Sequence, residues 1–368
     1  MKVKQSCPTF DMEEYSEIKE CFSENWLTEG LKTKEFEEKI RDMVGVKYGL
    51  VAPNGTLALY LCLKSLGIKE GDEVIVPNHT FFASASSVLM VNALPIFVDI
   101  EQNNVQIDLE KCERALTSKT KAIMPVHLYG FACNMDKVCE FAKKHNLKII
   151  EDACQALNIS WKGKKCGSFG DVNAFSFFAD KALSTVEGGF MATNDKEISN
   201  KLQYLKNQGR LNRGSFVHEE IGFNFRLNDL QSSIGLTQLR KFDGMTKRRL
   251  EIYEMYKEQL KNVSQVKVVE PPAGSSHIPF RTILMCKEES QDLMSYMTLN
   301  EIEPRSLFFP LHNQPAFKHL KDQVGYKDED FPNSIYAYNH GICLPCYPNL
   351  TNEQVKFVCD TIKEYYNV

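Results

Sequence analysis

The sequence predicts an α/β fold with a mainly parallel sheet, followed by a smaller α+β region. Three observations carry this. Short apolar, β-branched runs recur between about residues 50 and 200, helical patterns separate several of them, and the alternation stops after a long helical stretch at about 228–261. In chain order the strand candidates are DEVIVP (72–77), PIFVDI (95–100), KAIMPV (121–126), LKIIED (147–152), NAFSFF (173–178) and GGFMAT (188–193). LALYLCLKSLG and MDKVCEFAKKH supply helices between them, and sheets built this way bind ligands at the carboxyl ends of their strands. The 228–261 stretch is rich in Leu, Met and Arg, after which VEPPAGSSHIPF breaks the periodicity with paired prolines and a glycine. Short strands and helices follow, ending in an amphipathic segment near 353–366. The expected division is a large domain over 1–240 and a smaller one over 241–368.

Composition removes several function classes. A formal net charge of −4 offers no basic field, which argues against nucleic acid as a partner. The N-terminus, MKVKQSCPTFDMEEYSEIKE, lacks the apolar core of a secretory signal, and no uninterrupted apolar run is long enough to span a bilayer. A cytoplasmic location without membrane contact is expected. Most of the 12 cysteines sit singly in apolar or helical segments (Cys62, Cys112, Cys139, Cys286, Cys359), as buried thiols do in a reducing compartment. The one CxxC, Cys343 to Cys346, has no second pair and no suitably spaced histidines, so no metal site is expected.

The chemistry concentrates in three segments. LKIIEDACQAL ends an apolar strand in two acids, at the sheet's ligand-binding edge. Asp152 is there either as a site carboxylate or as an N-cap for the ACQAL segment. The next unit, GDVNAFSFFADKALSTVEGGFMAT, puts Lys181 just past an aromatic strand and ahead of a Gly pair. Poor solvation keeps such an amine neutral and nucleophilic, the alternative being a solvated loop lysine. Together the two would meet the needs of pyridoxal 5′-phosphate (PLP): an amine for a Schiff base, and an acid that keeps the pyridine nitrogen protonated so that the ring is an electron sink. VAPNGTLALYLCL sets Asn54-Gly55-Thr56 at a helix start, where free amides, the helix dipole and close approach at Gly55 suit a phosphate. It also reads as an ordinary start of a helix. Ser176, five residues before Lys181, adds a hydroxyl.

With these segments in view, the chain resembles the DegT/DnrJ/EryC1/StrS family of PLP-dependent aminotransferases over nearly its full length. The likeness rests on NWLTEG (25–30), NGTLAL, GDEVIVPNHTFFAS, PVHLYG (125–130), EDACQAL, FSFFADK, EGG (187–189), GFNFRLNDLQSSIGLTQL (222–239) and FPLHNQPAF (309–317). It implies a fold-type I PLP-dependent transferase, with a mixed, mainly parallel seven-stranded sheet in the large domain and a smaller C-terminal α+β domain. Lys181 is implied as the cofactor-bearing lysine and proton shuttle, and Asp152 as the partner of the pyridinium. Gln155 is implied beside the ring hydroxyl and Phe81 stacked on the ring. Gly55, Thr56 and Ser176 are implied at the phosphate, with Asn224 reaching it from a neighbouring subunit. That last role makes the protein an obligate homodimer with shared active sites. Phe81 as plain core and Asn224 as a turn residue are the competing readings. Relatives with histidine at the lysine position are dehydratases, so lysine implies amino transfer. The chain departs from the family pattern at Cys154, commonly Ala, and at Asn158 and Val186, both commonly Gly.

The resemblance also implies an amino donor, usually L-glutamate, and a keto-sugar acceptor, often a nucleotide-linked 4-keto-6-deoxyhexose, in surface polysaccharide or glycoside synthesis. FADK-ALSTVEGG and EIEPRSLFFPLHNQPAF are similar to the 4-amino, perosamine-type branch, with Arg305 and His312 as candidate substrate contacts. Arg213, Arg226 and Arg281 are further candidates, since arginine suits bidentate binding of phosphate or carboxylate, against surface pairing with acids. Two other functions stand beside this one: an aminotransferase for a ketose phosphate or inosose, and a non-catalytic PLP-binding regulator. Asp152, Gln155 and Lys181, all present, argue against the regulator.

Overall fold

The computed structural model describes residues 1–210, 214 and 216–368. Its first layer is a sheet of β1 (Tyr48–Ala52), β2 (Glu73–Pro77), β3 (Leu94–Val98), β4 (Thr120–Ile123), β5 (Lys148–Asp152), β8 (Val172–Ser176) and β9 (Gly189–Thr193), with a short hairpin of β6 (Ser160–Trp161) and β7 (Lys164–Lys165) between β5 and β8. The seven strands lie in the order β1-β9-β8-β5-β4-β2-β3. Pairings from β3 across to β8 are parallel, and β9 runs against both of its neighbours, β8 and β1. All six runs read from the sequence are strands of this sheet. Every residue of β2 is buried, as expected of a parallel strand covered on both faces.

Helices cover the sheet: α1 (Met12–Ser23), α2 (Leu31–Val44), α3 (Gly55–Ser65), α4 (Phe82–Met90), α5 (Leu109–Ala115), α6 (Met135–His145) and α7 (Lys196–Lys206). α3 is nearly all buried and is apolar on every side, so it packs inside the protein rather than on its surface. The long helix α8 (Asp229–Leu260) packs on α1 and α2 near its start and on the second sheet near its end. Position 240, the expected domain boundary, lies within it.

The second sheet is antiparallel, in the order β10-β11-β13-β12, from β10 (Val266–Val268), β11 (Thr282–Cys286), β12 (Arg305–Ser306) and β13 (Gly341–Leu344). α9 (Gln291–Leu299), α10 (Lys318–Val324), α11 (Pro332–His340) and α12 (Asn352–Tyr365) complete this part of the chain. Its core joins the second half of α8, at Ile252 and Tyr256, to Leu284, Ile342, Val358 and Ile362. A buried carboxylate ties the two sheets' surroundings together. Asp99, just after β3, accepts from the Asn333 and Ser334 amides at 2.9 and 2.8 Å and so caps α11.

Candidate active site

A cavity of about 780 Å³ opens where β5 and β8 end, and ten of the residues singled out in the sequence line it: Gly55, Thr56, Phe81, Asp152, Gln155, Ser176, Lys181, Arg281 and Arg305, with Asn54 beside them. Its first wall is the start of α3. Asn54 caps the helix by accepting from the Leu57 amide at 2.9 Å. The amides of Gly55 and Thr56, first in the helix, have no carbonyl one turn back to bond and are available to an anion. Close packing puts them there. A Cβ on Gly55 would come within 2.8 Å of Ser176 Cβ, and one on Gly189 within 2.4 Å of the Asn54 carbonyl oxygen. Both positions need glycine for α3 to begin against the ends of β8 and β9.

Asp152 closes β5. Its carboxylate accepts from Ser84 Oγ at 2.7 Å and the Cys154 amide at 3.2 Å. Gln155 Oε1 accepts from the Tyr129 amide at 2.7 Å, which turns the amide nitrogen, a double donor, toward other partners. Phe81 precedes α4, and its ring is 57% exposed on the cavity wall, so it is not a core residue in this chain.

Lys181 sits in the loop between β8 and β9. Its own amide donates to the Phe178 carbonyl at 3.0 Å, and the Phe177 and Thr185 amides close the loop onto the Gly188 and Phe177 carbonyls. Nζ lies 4.3 Å from the centre of the Phe280 ring. Burial holds the amine below its ordinary pKa, more than offsetting the neighbouring Asp180 carboxylate, and favours the neutral form.

The substrate candidates divide. Arg305 is exposed on the cavity wall. Arg281 lines the cavity too, but its guanidinium is already engaged by the Asp180 carboxylate and lies over Phe280, so its charge is matched within the chain. His312 is a correction. It is buried off the cavity, with Nδ1 against Asn78, Nε2 3.2 Å from Asp328 and its ring stacked on Phe331, so both nitrogens are occupied. Asn224 and Arg226 bond each other at 2.8 Å and do not line the cavity of their own chain. Arg213 lies outside the described residues. Sequence reasoning passed over Ser84, which holds Asp152, and Tyr129, which takes a left-handed φ of 57° and holds Gln155. Both lie inside quoted motifs, HTFFAS and PVHLYG, so the motifs were the available signal. Among the described residues, no cluster of His, Cys, Asp or Glu is arranged to hold a metal ion, and no helix is long and apolar enough to cross a membrane.

A buried lysine amine, a carboxylate and an anion-ready helix start, at the carboxyl end of such a sheet, fit PLP, and the fold is that of a PLP-dependent transferase of fold type I. The chain belongs to the DegT/DnrJ/EryC1/StrS aminotransferase family, whose model matches residues 8–363. It is 36% identical over 367 residues to the GDP-perosamine synthase of Escherichia coli O157:H7, covering 98% of this chain and 97% of the relative. Among solved structures it is similar to DesV of S. venezuelae, with a TM-score of 0.91, 28% identity and coverage of 97% and 95% of the two chains. It is also similar to a Streptococcus pneumoniae protein in its PLP form, with a TM-score of 0.94, 25% identity and coverage of 100% and 99%. The protein is a PLP-dependent aminotransferase.

Proposed function

We propose that this enzyme moves an amino group from L-glutamate to a nucleotide-linked 4-keto-6-deoxyhexose, for surface polysaccharide or glycoside synthesis in the cytoplasm. We further propose an obligate homodimer with shared active sites, each chain divided into a cofactor-binding part (1–240) and a smaller part (241–368). The observation that carries the reading is the convergence of Lys181, Asp152, Ser176 and the start of α3 on one cavity. The acceptor class is supported by the full-length likeness to a GDP-perosamine synthase. A cavity of about 780 Å³ lies high in the usual range of roughly 300–1,000 Å³ for small-molecule sites, which suits a cofactor and a sugar together.

When bound, PLP supplies a cationic ring that takes up the electron pair left on a carbon after its proton departs. The chain's residues do the rest. Lys181 would hold the cofactor through Nζ and, as the free amine, would carry the proton from the donor's amino-bearing carbon to the cofactor and, in the second half of the reaction, from the cofactor to the acceptor carbon. Asp152, fixed by Ser84 and the Cys154 amide, keeps the ring nitrogen protonated. Gln155 turns its free NH₂ to the ring hydroxyl, and Phe81 stacks on the ring face. The Gly55 and Thr56 amides and the Ser176 hydroxyl hold the phosphate, joined by Asn224 of the neighbouring subunit. Arg305 meets the charged portion of the acceptor.

The test is amine formation with glutamate as donor across nucleotide-linked 4-keto-6-deoxyhexoses, ketose phosphates and inososes. Turnover of the nucleotide sugars is the expected result. Turnover of a three-carbon ketone phosphate, with none of any nucleotide sugar, overturns the acceptor assignment. A visible band that no donor bleaches overturns amino transfer itself.

A further inference from the structure

Directly before Lys181, a second carboxylate enters the site. Asp180 and Lys181 both line the main cavity, so an unpaired Asp180 would be a ready ion-pair partner for the amine beside it. Among the described residues Lys181 forms no such pair. The Asp180 carboxylate is gripped instead by Arg281, which lies 101 residues further along the chain, at the start of β11. Arg281 is 3% exposed, its guanidinium is 4.2 Å from the centre of the Phe280 ring, and it also donates to the Phe280 carbonyl at 3.2 Å. Lys181 Nζ lies against the same ring. A buried second arginine, Arg249 of α8, fixes the frame. It donates to the Cys346 carbonyl at 2.7 Å, to the Pro279 and Phe280 carbonyls at 3.3 and 3.5 Å, and to the Asp180 carbonyl at 3.5 Å. The lysine loop is thus held to the second sheet by two cations, one on its backbone and one on its carboxylate.

We propose that Arg281 and Asp180 are positioning residues for Lys181: by gripping the Asp180 carboxylate, Arg281 keeps it from pairing with the adjacent amine on the cavity wall. On the side away from the main cavity, water is a poor substitute for the guanidinium. Behind the loop, Asp180, Lys181, Arg249 and Arg281 line a space of only about 10 Å³, room for about one water molecule. Released from Arg281, the carboxylate has the adjacent Lys181 amine and the Arg249 guanidinium as the cations within its reach. The charged and titratable groups acting most strongly on Lys181 are Asp180, Cys154, Arg281 and Asp152, with Glu187, Arg305, Tyr129 and Cys343 elsewhere on the main cavity wall and Arg249, Tyr347 and Cys7 around the small space behind the loop. Among these, Asp180 is the one paired with a cation.

The inference rests on Lys181 as the cofactor-bearing lysine, which borohydride reduction of the unmutated enzyme checks separately by placing the reduced adduct on the Lys181 peptide. The decisive experiment uses the full chain loaded with pyridoxamine phosphate, in which the amine is free, and follows acetylation of Lys181 against pH by peptide mass spectrometry. Arg281→Met is expected to raise the midpoint by about one pH unit, slowing acetylation about tenfold at neutral pH. Asp180→Asn lowers the midpoint, and the double variant D180N/R281M returns it toward the parent. A purely structural role moves the melting temperature without moving these midpoints. An unchanged midpoint in folded R281M overturns the proposal, as does a double variant displaced as far as R281M. If R281M does not fold, Asp180→Asn decides alone: a lowered midpoint supports the proposal, and an unchanged or raised one sinks it.

Discussion

Glu151 and Asp152 end the same strand, β5, and alternation along a strand sends their side chains to opposite faces of the sheet. On the far face Glu151 is fully buried. It accepts from the amides of Gly167, Phe169 and Gly170, each at 2.7 Å, and from His127 Nε2 at 2.9 Å. The Cys133 amide donates to His127 Nδ1 at 3.0 Å, and Nε2 is the nitrogen that donates to Glu151. A carboxylate offers about four acceptor sites, and on Glu151 all are used. On the near face Asp152 is also buried but has only the Ser84 and Cys154 bonds, with the cavity in front of it. Two neighbouring acids with the same chemistry therefore differ in spare hydrogen-bonding capacity. The saturated one pins the turn that leads into β8, and the half-used one is available to a ligand.

The largest expected effect sharpens this contrast on the near face. Lys181→Ala abolishes turnover, and Asp152→Asn, which keeps the shape and removes the charge, lowers kcat by about 100-fold or more while unfolding in urea is nearly unchanged. On the far face the outcomes reverse. Glu151→Gln turns an NH₂ group toward backbone donors and is expected to cost roughly 3 kcal/mol of stability by urea denaturation, with kcat of the folded fraction within a few-fold of the parent. A Glu151→Gln enzyme that is stable but dead, or an Asp152→Asn enzyme that is active but unstable, would break the comparison.

The sequence carried the near face better than the far one. β2, β3, β4, β5, β8 and β9 were legible because strands buried on both faces are apolar runs, whether parallel or, like β9, antiparallel. β1 was not, because YGLVA is only partly buried over its first three residues and runs directly into the Asn54 cap. Period-two alternation says that Glu151 and Asp152 face apart but not which of them meets the cavity. That depends on Ser84 and on the 167–170 turn, at separations of 68 and 16 to 19 residues. His312 reads as a substrate contact because its segment abuts the site. Its burial depends on Asn78, 234 residues away, which no local pattern shows. Arg281 was legible as a candidate site arginine, while its partner Asp180 was not.

A smaller effect belongs to the support beneath the near face. His79 is fully buried, with Nε2 3.2 Å from the hydroxyl of Tyr129, the residue that holds Gln155. Burial pushes its pKa down to about 3. Below the unfolded pKa of roughly 6.5 the unfolded chain binds a proton that the folded chain refuses, so stability falls as pH drops from there toward 3. By pH 5.5 this one group costs about 1.4 kcal/mol. His79→Gln removes its part of the slope, which urea titrations at pH 7 and 5.5 measure. An unchanged slope would show His79 to be protonated in the folded protein.

The smallest effect concerns Val186, where the family commonly has glycine. Val186 is 45% exposed with φ of +69°, a left-handed conformation that costs a β-branched residue about 1–2 kcal/mol. The surroundings enforce it. Its amide donates to Ser184 Oγ at 2.9 Å, Thr185 Oγ1 and Gln231 Nε2 both donate to the Glu187 carbonyl at 2.7 Å, and a Cβ on Gly188 would meet Thr185 Oγ1 at 2.1 Å. Val186→Gly relieves the strain but frees the unfolded chain, a loss of roughly 0.5–1 kcal/mol. The net expectation is a gain of about 0.5–1 kcal/mol in urea, with kcat changed less than about threefold. Because the isopropyl group faces outward from this chain, a loss of stability instead would mean that it packs against something beyond the chain. A fall in stability that deepens as the protein is diluted would then identify that surface as a second subunit, and would place Val186 beside Asn224 in the proposed shared site.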